Sequence, residues 1–135
     1  MSEEIRTAKQ WLAKARSDLL SADNNLASER VPYDTVCFHC QQAAEKILKA
    51  YLAASGQSAP RTHDLLLLLE KVLPLSGSAD ALRDALAILM PYAVEIRYPD
   101  DWFMPSEDDA REARDLAERV LSWLGDIRPD ILQPP

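Results

Sequence analysis

The sequence predicts an all-α fold, an up-and-down bundle of four to five helices. The chain has only three glycines among its 135 residues and is rich in alanine and leucine, which favours helix over sheet. Apolar residues recur at three- and four-residue steps along several long segments, which is the period of an amphipathic helix. No segment alternates as a half-buried strand does. With 47% hydrophobic residues, a chain of this length makes one domain with its own core.

The first two predicted helices are the longest. Apolar and alanine residues on a single stripe predict an amphipathic helix over about residues 3–27. The segment SERVPYD then breaks the pattern, and Pro32 suits the first turn of a second helix. This second helix is predicted over about residues 33–55 and should end before Gly56.

Two shorter helices should follow. Thr62 is the predicted N-cap of the third helix, which runs through Leu73 and is hydrophobic nearly all round. Apolar spacing over residues 81–94 predicts a fourth helix, and Pro91 should kink it or end it early.

The fifth predicted helix begins at the acidic run 107–109, directly after Ser106, and continues to about Leu124. Carboxylates are favourable at this end because the helix dipole is positive there. We therefore divide the chain into a helical domain, residues 1–125, and a proline-rich tail, residues 126–135, which we expect to be flexible.

The charge balance limits the partners of the protein. The net charge is −7, and an acidic chain approaches a polyanion against its own field, so non-specific nucleic-acid binding is not expected. The first ten residues, MSEEIRTAKQ, hold no apolar stretch, and no run reaches the roughly 20 apolar residues that span a bilayer. We expect a cytoplasmic protein with no membrane segment.

Both cysteines lie in the stretch CFHCQQAAEKILKAYL, residues 37–52. On a helical wheel, Cys37 and Cys40 fall in the apolar stripe and His39 falls on the opposite side. Zinc needs converging ligands, so this geometry does not favour a metal site. A redox pair is the stronger rival, because the helix N-terminus would lower the pKa of Cys37, but no strand precedes it as in thioredoxins. We interpret both cysteines as small core residues.

The opposite side of this helix carries a polar stripe. Its members are His39, Gln42, Lys46 and Lys49. The stripe can be an ordinary solvated surface, in which Glu45 and Lys49 pair one turn apart. It can also bind an anionic ligand.

Three segments together resemble a known family: CFHCQQAAEKILKAYL, THDLLLLLEKV and EIRYPDDW. In this order, between a tryptophan-bearing first helix and an alanine-rich last helix, they resemble the HEPN domain (higher eukaryotes and prokaryotes nucleotide-binding). The resemblance covers about residues 5–124. It implies a helical bundle that commonly dimerises and binds a nucleotide. It also implies that the protein pairs with a minimal nucleotidyltransferase, as many prokaryotic members do in modules that look like toxin–antitoxin pairs.

Many members of this family are metal-independent ribonucleases that use an arginine followed a few residues later by a histidine. Arg97 stands at the arginine position, but Trp102, Phe103 and Met104 occupy the positions that should hold the histidine. None of these side chains can act as a general base. We therefore expect a non-catalytic member, the variant that lacks this ribonuclease motif.

What remains suits a nucleotide or phosphate ligand. The residues expected to bind it are His39, Gln42, Lys46, Lys49, His63, Asp64, Arg97 and Tyr98. The lysines would supply point charges, the arginine a planar fork for phosphate, and Tyr98, with Trp102, a ring that stacks on a base. No metal or other cofactor is required.

Each of these assignments has an alternative. Arg97 could form a buried ion pair with Asp64 or Glu45, and His63 with Asp64 could be a capping feature of the third helix. Trp11 and Trp123 are interpreted as core residues. Two other functions also stay open. One is a ribonuclease toxin with a displaced histidine, and the other is a plain dimeric interaction module that uses the polar stripe as its contact surface.

Overall fold

The computed structural model describes residues 1–93 and 104–133 of the chain. Every regular element within these two ranges is a helix, which confirms the all-α bundle. The α-helices are α1 (Glu3–Leu26), α2 (Tyr33–Ala54), α3 (Leu65–Val72), α4 (Arg83–Leu89), α5 (Glu107–Ile127) and α6 (Pro129–Leu132). Two 3₁₀ segments, Gly77–Leu82 and Met90–Ala93, flank α4 on its two sides.

Helix α2 lies at the centre of the bundle. It packs against α1, α3, α4 and α5, while α6 packs against α1 and α5. Most of its residues are therefore buried, and the large side chains of Ile47, Leu48 and Leu52 are at most 1% exposed. Because α2 is surrounded by other helices, its buried stripe is wider than that of a helix at the surface.

Helix α1 meets α2 through small side chains. Ala8, Ala15 and Ala22 of α1 are fully buried, and so are Ala43 and Ala44 of α2. Alanines at a helix–helix contact let the two backbones approach closely, and they leave room for longer polar side chains beside them. The contact between α1 and α2 positions the polar residues of the candidate site.

Local hydrogen bonds set where the long helices begin. The Ile5 N–H donates to Ser2 Oγ at 3.2 Å, which caps α1. At α5, the Asp109 N–H donates to Ser106 Oγ at 3.1 Å, and the Ser106 N–H donates to Asp109 Oδ2 at 2.9 Å. This reciprocal pair is a capping box, and it confirms the start predicted from the acidic run.

Helix α3 begins later than predicted, because its N-cap is Asp64 and not Thr62. Asp64 Oδ1 accepts hydrogen bonds from the N–H groups of Leu66 and Leu67, at 3.1 and 3.0 Å. An N-cap side chain accepts from the N–H groups two and three residues ahead, and Asp64, directly before the first helical residue, is the one that does so. Thr62 Oγ1 instead accepts from the Asp64 N–H at 3.1 Å, which orders the turn before the helix.

The predicted fourth helix is broken into three pieces. A 3₁₀ segment precedes α4, and α4 ends at Leu89, two residues before Pro91. The early end agrees with the expected effect of a proline, which has no N–H to donate and clashes with the preceding turn. The chain continues as a 3₁₀ segment to Ala93.

The C-terminal region differs from the expected flexible tail. Helix α5 continues to Ile127, and α6 follows it at once, with Pro129 in its first turn. Ile131 is only 1% exposed, because α6 packs on α1 and α5. The Arg128 guanidinium donates to Asp130 at 2.9 Å, which orders the junction between the two helices. No helix within the described ranges is long and apolar enough to cross a membrane.

Candidate functional site

A buried carboxylate of α1 organises the first part of the site. Asp18 is only 8% exposed, and its two oxygens accept hydrogen bonds from two residues of α2. His39 Nδ1 lies 2.9 Å from Asp18 Oδ1, and Lys46 Nζ lies 2.6 Å from Asp18 Oδ2. We call these three residues the Asp18 triad. The side chains of His39 and Lys46 are 25% and 21% exposed, so solvent still reaches this triad.

A second triad lies further along α2. Glu45, 3% exposed, accepts from Lys49 Nζ at 3.1 Å and pairs with His63 Nδ1 at 2.7 Å. We call these residues the Glu45 triad. The Lys49 side chain is 7% exposed, whereas the His63 side chain is 69% exposed. The triad therefore joins a buried ion pair to an imidazole at the surface.

Trp11 of α1 covers Lys49. The Lys49 ammonium lies 5.3 Å from the centroid of the indole ring, and Lys14 lies 5.6 Å from the same ring. These are cation–π distances. Trp11 packs against the edge of the core and is only partly buried, whereas Trp123 is 8% exposed and stands edge-on to Tyr51, as expected of a core residue.

The two adjacent glutamines tie α2 to the loop before α3. Gln41 is fully buried, and its amide nitrogen donates to the backbone carbonyl of His63 at 3.1 Å. Gln42 donates in turn to Gln41 Oε1 at 2.6 Å. This chain of hydrogen bonds holds His63 beside Glu45.

The structure brings five of the predicted site residues together. His39, Gln42, Lys46, Lys49 and His63 all lie in this polar region, and the predicted pair of Glu45 and Lys49 is present. The interpretation of the stripe as a solvated surface is wrong for this pair, because both members are buried. Asp64 directs its carboxylate to the start of α3 instead. Arg97 and Tyr98, and with them the proposed ion pair of Arg97, lie outside the described residues.

Sequence reasoning missed two members of the site. The pattern places Asp18 among the polar residues that fill the positions between the apolar ones, but it lies next to Leu19 on the buried side of α1. A lone carboxylate inside an apolar stripe is a signal that it has a partner on the neighbouring helix. Gln41 offered no such signal, because its burial depends on the loop that covers it.

The cysteines are not part of the site. Cys37 and Cys40 are free thiols and both are fully buried. Burial, together with the nearby carboxylate of Asp109, raises the pKa of Cys37 to about 12. Burial, together with the neighbouring Cys37, raises the pKa of Cys40 to about 12. Desolvation therefore outweighs the helix dipole, and the thiols stay protonated at neutral pH. Across the described ranges, no group of three or more His, Cys, Asp or Glu residues could hold a metal ion.

The two histidines share one chemical feature. A carboxylate can only accept hydrogen bonds, so the proton of each ring must be on Nδ1. Nε2 of His39 and of His63 is then the nitrogen that can meet a ligand. Each triad thus holds an imidazole in a fixed orientation beside a lysine.

The chain that forms this bundle and its two triads also matches a protein-family model. The model of the HEPN domain matches residues 8–127, and the chain belongs to this family. HEPN domains commonly dimerise.

Among solved structures, the chain is similar to the crystal structure of TT1696 from Thermus thermophilus. The two chains are 32% identical, and they superpose with a TM-score of 0.77. The match covers 88% of this chain and 96% of that one. None of the curated proteins compared with the chain matches it.

Proposed function

We propose that this protein is a non-catalytic HEPN-domain protein that binds a nucleotide or another phosphate ligand at the two triads. We further propose that it pairs with a minimal nucleotidyltransferase in a toxin–antitoxin-like module. Membership of the HEPN family supports both statements. The observation that carries the binding proposal is the Asp18 triad, in which an oriented imidazole and a lysine stand side by side, both within reach of solvent.

The triads offer hydrogen-bond donors in spite of their internal ion pairs. The Lys46 ammonium has three donors and Asp18 accepts only one of them. Lys49 is enclosed between Glu45 and Trp11, so it supports the site and does not reach a ligand. The proposed contacts are therefore Lys46, His39 and His63.

The ion pairs balance the charge of the two lysines. The carboxylates of Asp18 and Glu45 offset the ammonium groups of Lys46 and Lys49. A phosphate ligand would therefore be held by the hydrogen-bond donors that these ion pairs leave open.

Calorimetric titration and thermal shift test the binding proposal. The probes are ATP and a pyrophosphate-linked dinucleotide. We expect both to raise the melting temperature. A ligand at ten times its Kd stabilises the folded state by about 1.4 kcal/mol.

Two variants and one control sharpen this test. His39→Gln should weaken binding, while His63→Gln should have a smaller effect because His63 is the more exposed of the two. Lys71→Ala, an exposed lysine on α3, is the matched control and should change nothing. Absence of any stabilisation at millimolar ligand would show that the triads do not bind nucleotides.

The pairing proposal has its own test. The protein is co-expressed with the nucleotidyltransferase encoded by a neighbouring gene, and the complex is sought by affinity purification and mass measurement. Recovery of the protein alone, from a strain that makes both chains, would contradict pairing and leave the ligand proposal untouched.

A second candidate function rests on the same histidines. A histidine held by a carboxylate through one nitrogen is also the arrangement of a general base. The protein would then be a ribonuclease toxin with a displaced histidine, and its expression should arrest growth. Arg97→Ala and His39→Ala should each relieve the arrest. Normal growth during expression of the wild-type protein would exclude this candidate.

A further inference from the structure

The surface of α1 carries two adjoining cavities. The first has a volume of about 410 Å³, and the residues of α1 that line it are Arg6, Lys9, Gln10 and Ala13. The second has a volume of about 210 Å³, and the residues of α1 that line it are Lys9, Leu12, Ala13 and Arg16. Residues of α6 line the other side of this second cavity. Because Lys9 and Ala13 line both cavities, we treat the two as one surface feature, which we call the Ala13 groove.

The lining residues of the two cavities follow the same spacing. Each set occupies positions i, i+3, i+4 and i+7 of α1, counted from Arg6 in the first cavity and from Lys9 in the second. Residues at these steps are neighbours on the surface of a helix. In a coiled coil, four such residues form the hole that receives one side chain of the facing helix. Ala13 belongs to both sets, and its short side chain leaves both holes open.

The groove lies in the most basic segment of the chain. Residues 6–16 hold four Lys or Arg and no Asp or Glu, a net charge of +4, whereas the other residues carry 11 Lys or Arg and 22 Asp or Glu, a net charge of −11. Arg16 is exposed, and within the described ranges no carboxylate pairs with it. Arg6 pairs with Glu3 at 3.3 Å, but both side chains are exposed, so this pair is weak and a carboxylate of a partner can compete with it. The charge of the groove therefore selects an acidic partner.

Apolar groups lie between these charges. Leu12 and Ile131 line the second cavity and are only 3% and 1% exposed, so they form its buried floor. Leu20 follows Arg16 by one helical turn and is 60% exposed. The steps from Arg6 to Leu20 through Ala13 are of seven residues each, so these residues lie along one side of the helix. A partner with apolar side chains at the same repeat could cover them.

We infer that the Ala13 groove docks an acidic amphipathic helix of another protein. Apolar side chains of that helix enter the two holes around Ala13, and its Asp or Glu residues flank this apolar seam and pair with Arg6 and Arg16, as the flanking charges of a coiled coil do. None of the residues that line the groove belongs to the Asp18 triad or the Glu45 triad. The inference therefore does not rest on the proposed function.

An acidic helix fits the groove better than a nucleic acid or a second copy of the chain. The net charge of −11 on the other residues repels a long polyanion more than a short acidic helix. None of the described residues that line the two cavities is aromatic, so the groove has no ring on which a base could stack. The α1 of a second copy would bring the same positive charge against this one.

A designed peptide tests the docking surface. The probe is a fluorescently labelled helix of three heptads with leucine at the core positions and glutamate at the flanking positions. One control peptide has lysine in place of each glutamate. A second control keeps the glutamates but has a proline in the middle, which prevents a continuous helix. Fluorescence anisotropy should show binding of the acidic helix, weakened on the order of tenfold between about 0.05 and about 0.5 M salt, and binding of each control at least about tenfold weaker.

Two variants locate the bound peptide on α1. Ala13→Gln fills both holes without a change of charge, and Arg16→Gln removes one positive charge at the rim. Each should raise the Kd of the acidic helix on the order of tenfold. The matched controls are Ala87→Gln, at an exposed alanine of α4, and Lys71→Gln, at an exposed lysine of α3, and neither should change the Kd. Circular dichroism checks that every variant is folded.

Several results would overturn the inference. They are no binding of the acidic helix at about 1 mM, equal affinity for the peptide with proline, or an unchanged affinity of folded Ala13→Gln. Tighter binding of single-stranded RNA than of the acidic helix, lost in Arg16→Gln, would assign the groove to nucleic acid instead. A wild-type dimer that becomes a monomer in Ala13→Gln would assign it to a second copy. If Ala13→Gln does not fold, an unchanged affinity of Arg16→Gln would equally contradict the docking.

Discussion

The carboxylate of Asp18 lies 2.6 Å from the ammonium nitrogen of Lys46, across the contact between α1 and α2. The same carboxylate orients His39 at 2.9 Å. A lysine that sequence patterns place on a polar helix surface is thus held by a partner from another helix. Its charge is balanced within the fold, and any ligand must use the donors that Asp18 leaves open.

Replacing Asp18 by Asn should destabilise the protein. The amide keeps the size of the side chain but removes the charge, so the partly buried Lys46 ammonium loses its counterion. We expect a loss of about 1–3 kcal/mol in the free energy of unfolding, measured by urea denaturation. The control is Glu3→Gln, which removes an exposed partner of Arg6 and should change the free energy by less than about 0.5 kcal/mol. Equal effects of the two substitutions would contradict a special role of Asp18.

The ion pair of Glu45 and Lys49 should be strongly coupled. Glu45→Gln leaves a buried ammonium without a counterion, which should cost about 3–5 kcal/mol. The double variant Glu45→Gln with Lys49→Met removes the charge as well and places a flexible apolar side chain against Trp11. We expect it to be more stable than Glu45→Gln alone by at least about 1 kcal/mol, as a double-mutant cycle from urea denaturation would show. Additive losses would mean that the two residues act independently.

The buried thiols should be unreactive in the folded protein. With pKa values of about 12 for Cys37 and Cys40, about one thiol in 10⁴ is ionised at pH 8. Ellman's reagent at pH 8 should therefore modify both thiols in urea and neither in buffer. Rapid modification of the folded protein would support the redox interpretation.

The same thiols give stability a dependence on alkaline pH. The folded-state pKa of Cys37 lies above the ordinary value of 9.0, so folding favours the protonated form. The contribution is fully present below pH 9 and is lost as the pH rises toward 12. The unfolding free energy of the wild type should thus fall between pH 8 and pH 10.5 more than that of Cys37→Ala with Cys40→Ala. Parallel profiles would contradict this origin.

Asp64 should matter more than Thr62 for the start of α3. Asp64→Ala removes the side chain that accepts from two N–H groups of the first turn, which should cost about 1 kcal/mol. Thr62→Ala removes one hydrogen bond in the preceding turn and should cost less. Thermal unfolding of both variants measures the two losses of stability. A larger loss for Thr62→Ala would support Thr62 as the N-cap, as the sequence predicted.

Ile131 should contribute to the core although it lies close to the end of the described chain. Ile131→Ala removes a side chain that is 1% exposed, and we expect a loss of about 2–4 kcal/mol. Ile88→Ala is the matched control, because Ile88 is 42% exposed and should lose much less. The comparison uses urea denaturation, and equal losses would mean that α6 does not pack firmly on α1 and α5.

The long helices could be predicted from the sequence because their period and their ends are local properties. The structure confirms α1, α2 and the start of α5 to within about a residue of the prediction. The predictions were weaker where tertiary contacts decide the outcome. The sequence after α5 has three prolines and suggested a flexible tail, yet burial of Ile131 orders α6. A helical wheel cannot show that Ile131 will pack on other helices, because that contact depends on the tertiary fold.

The same limit explains the site. The helical period of the sequence predicted that His39, Lys46 and Lys49 share a side of α2, and they do so in the structure. It could not predict that α1 covers this side, so that Lys49 is buried under Trp11 and Lys46 is bound by Asp18. The polar stripe of α2 is therefore partly buried at Lys49 and partly exposed at His39 and Lys46.

The buried alanines of α1 recur every seventh position, at Ala8, Ala15 and Ala22. With this regular repeat alone, α1 could shift along α2 by one heptad and still make an apolar contact. Asp18 prevents this shift. A carboxylate moved by one heptad would lose its hydrogen bonds to His39 and Lys46 and would not meet an equivalent pair of partners. The ion pairs thus fix the register of the two longest helices, and with apolar residues in their place the bundle would keep its helices but lose its single alignment.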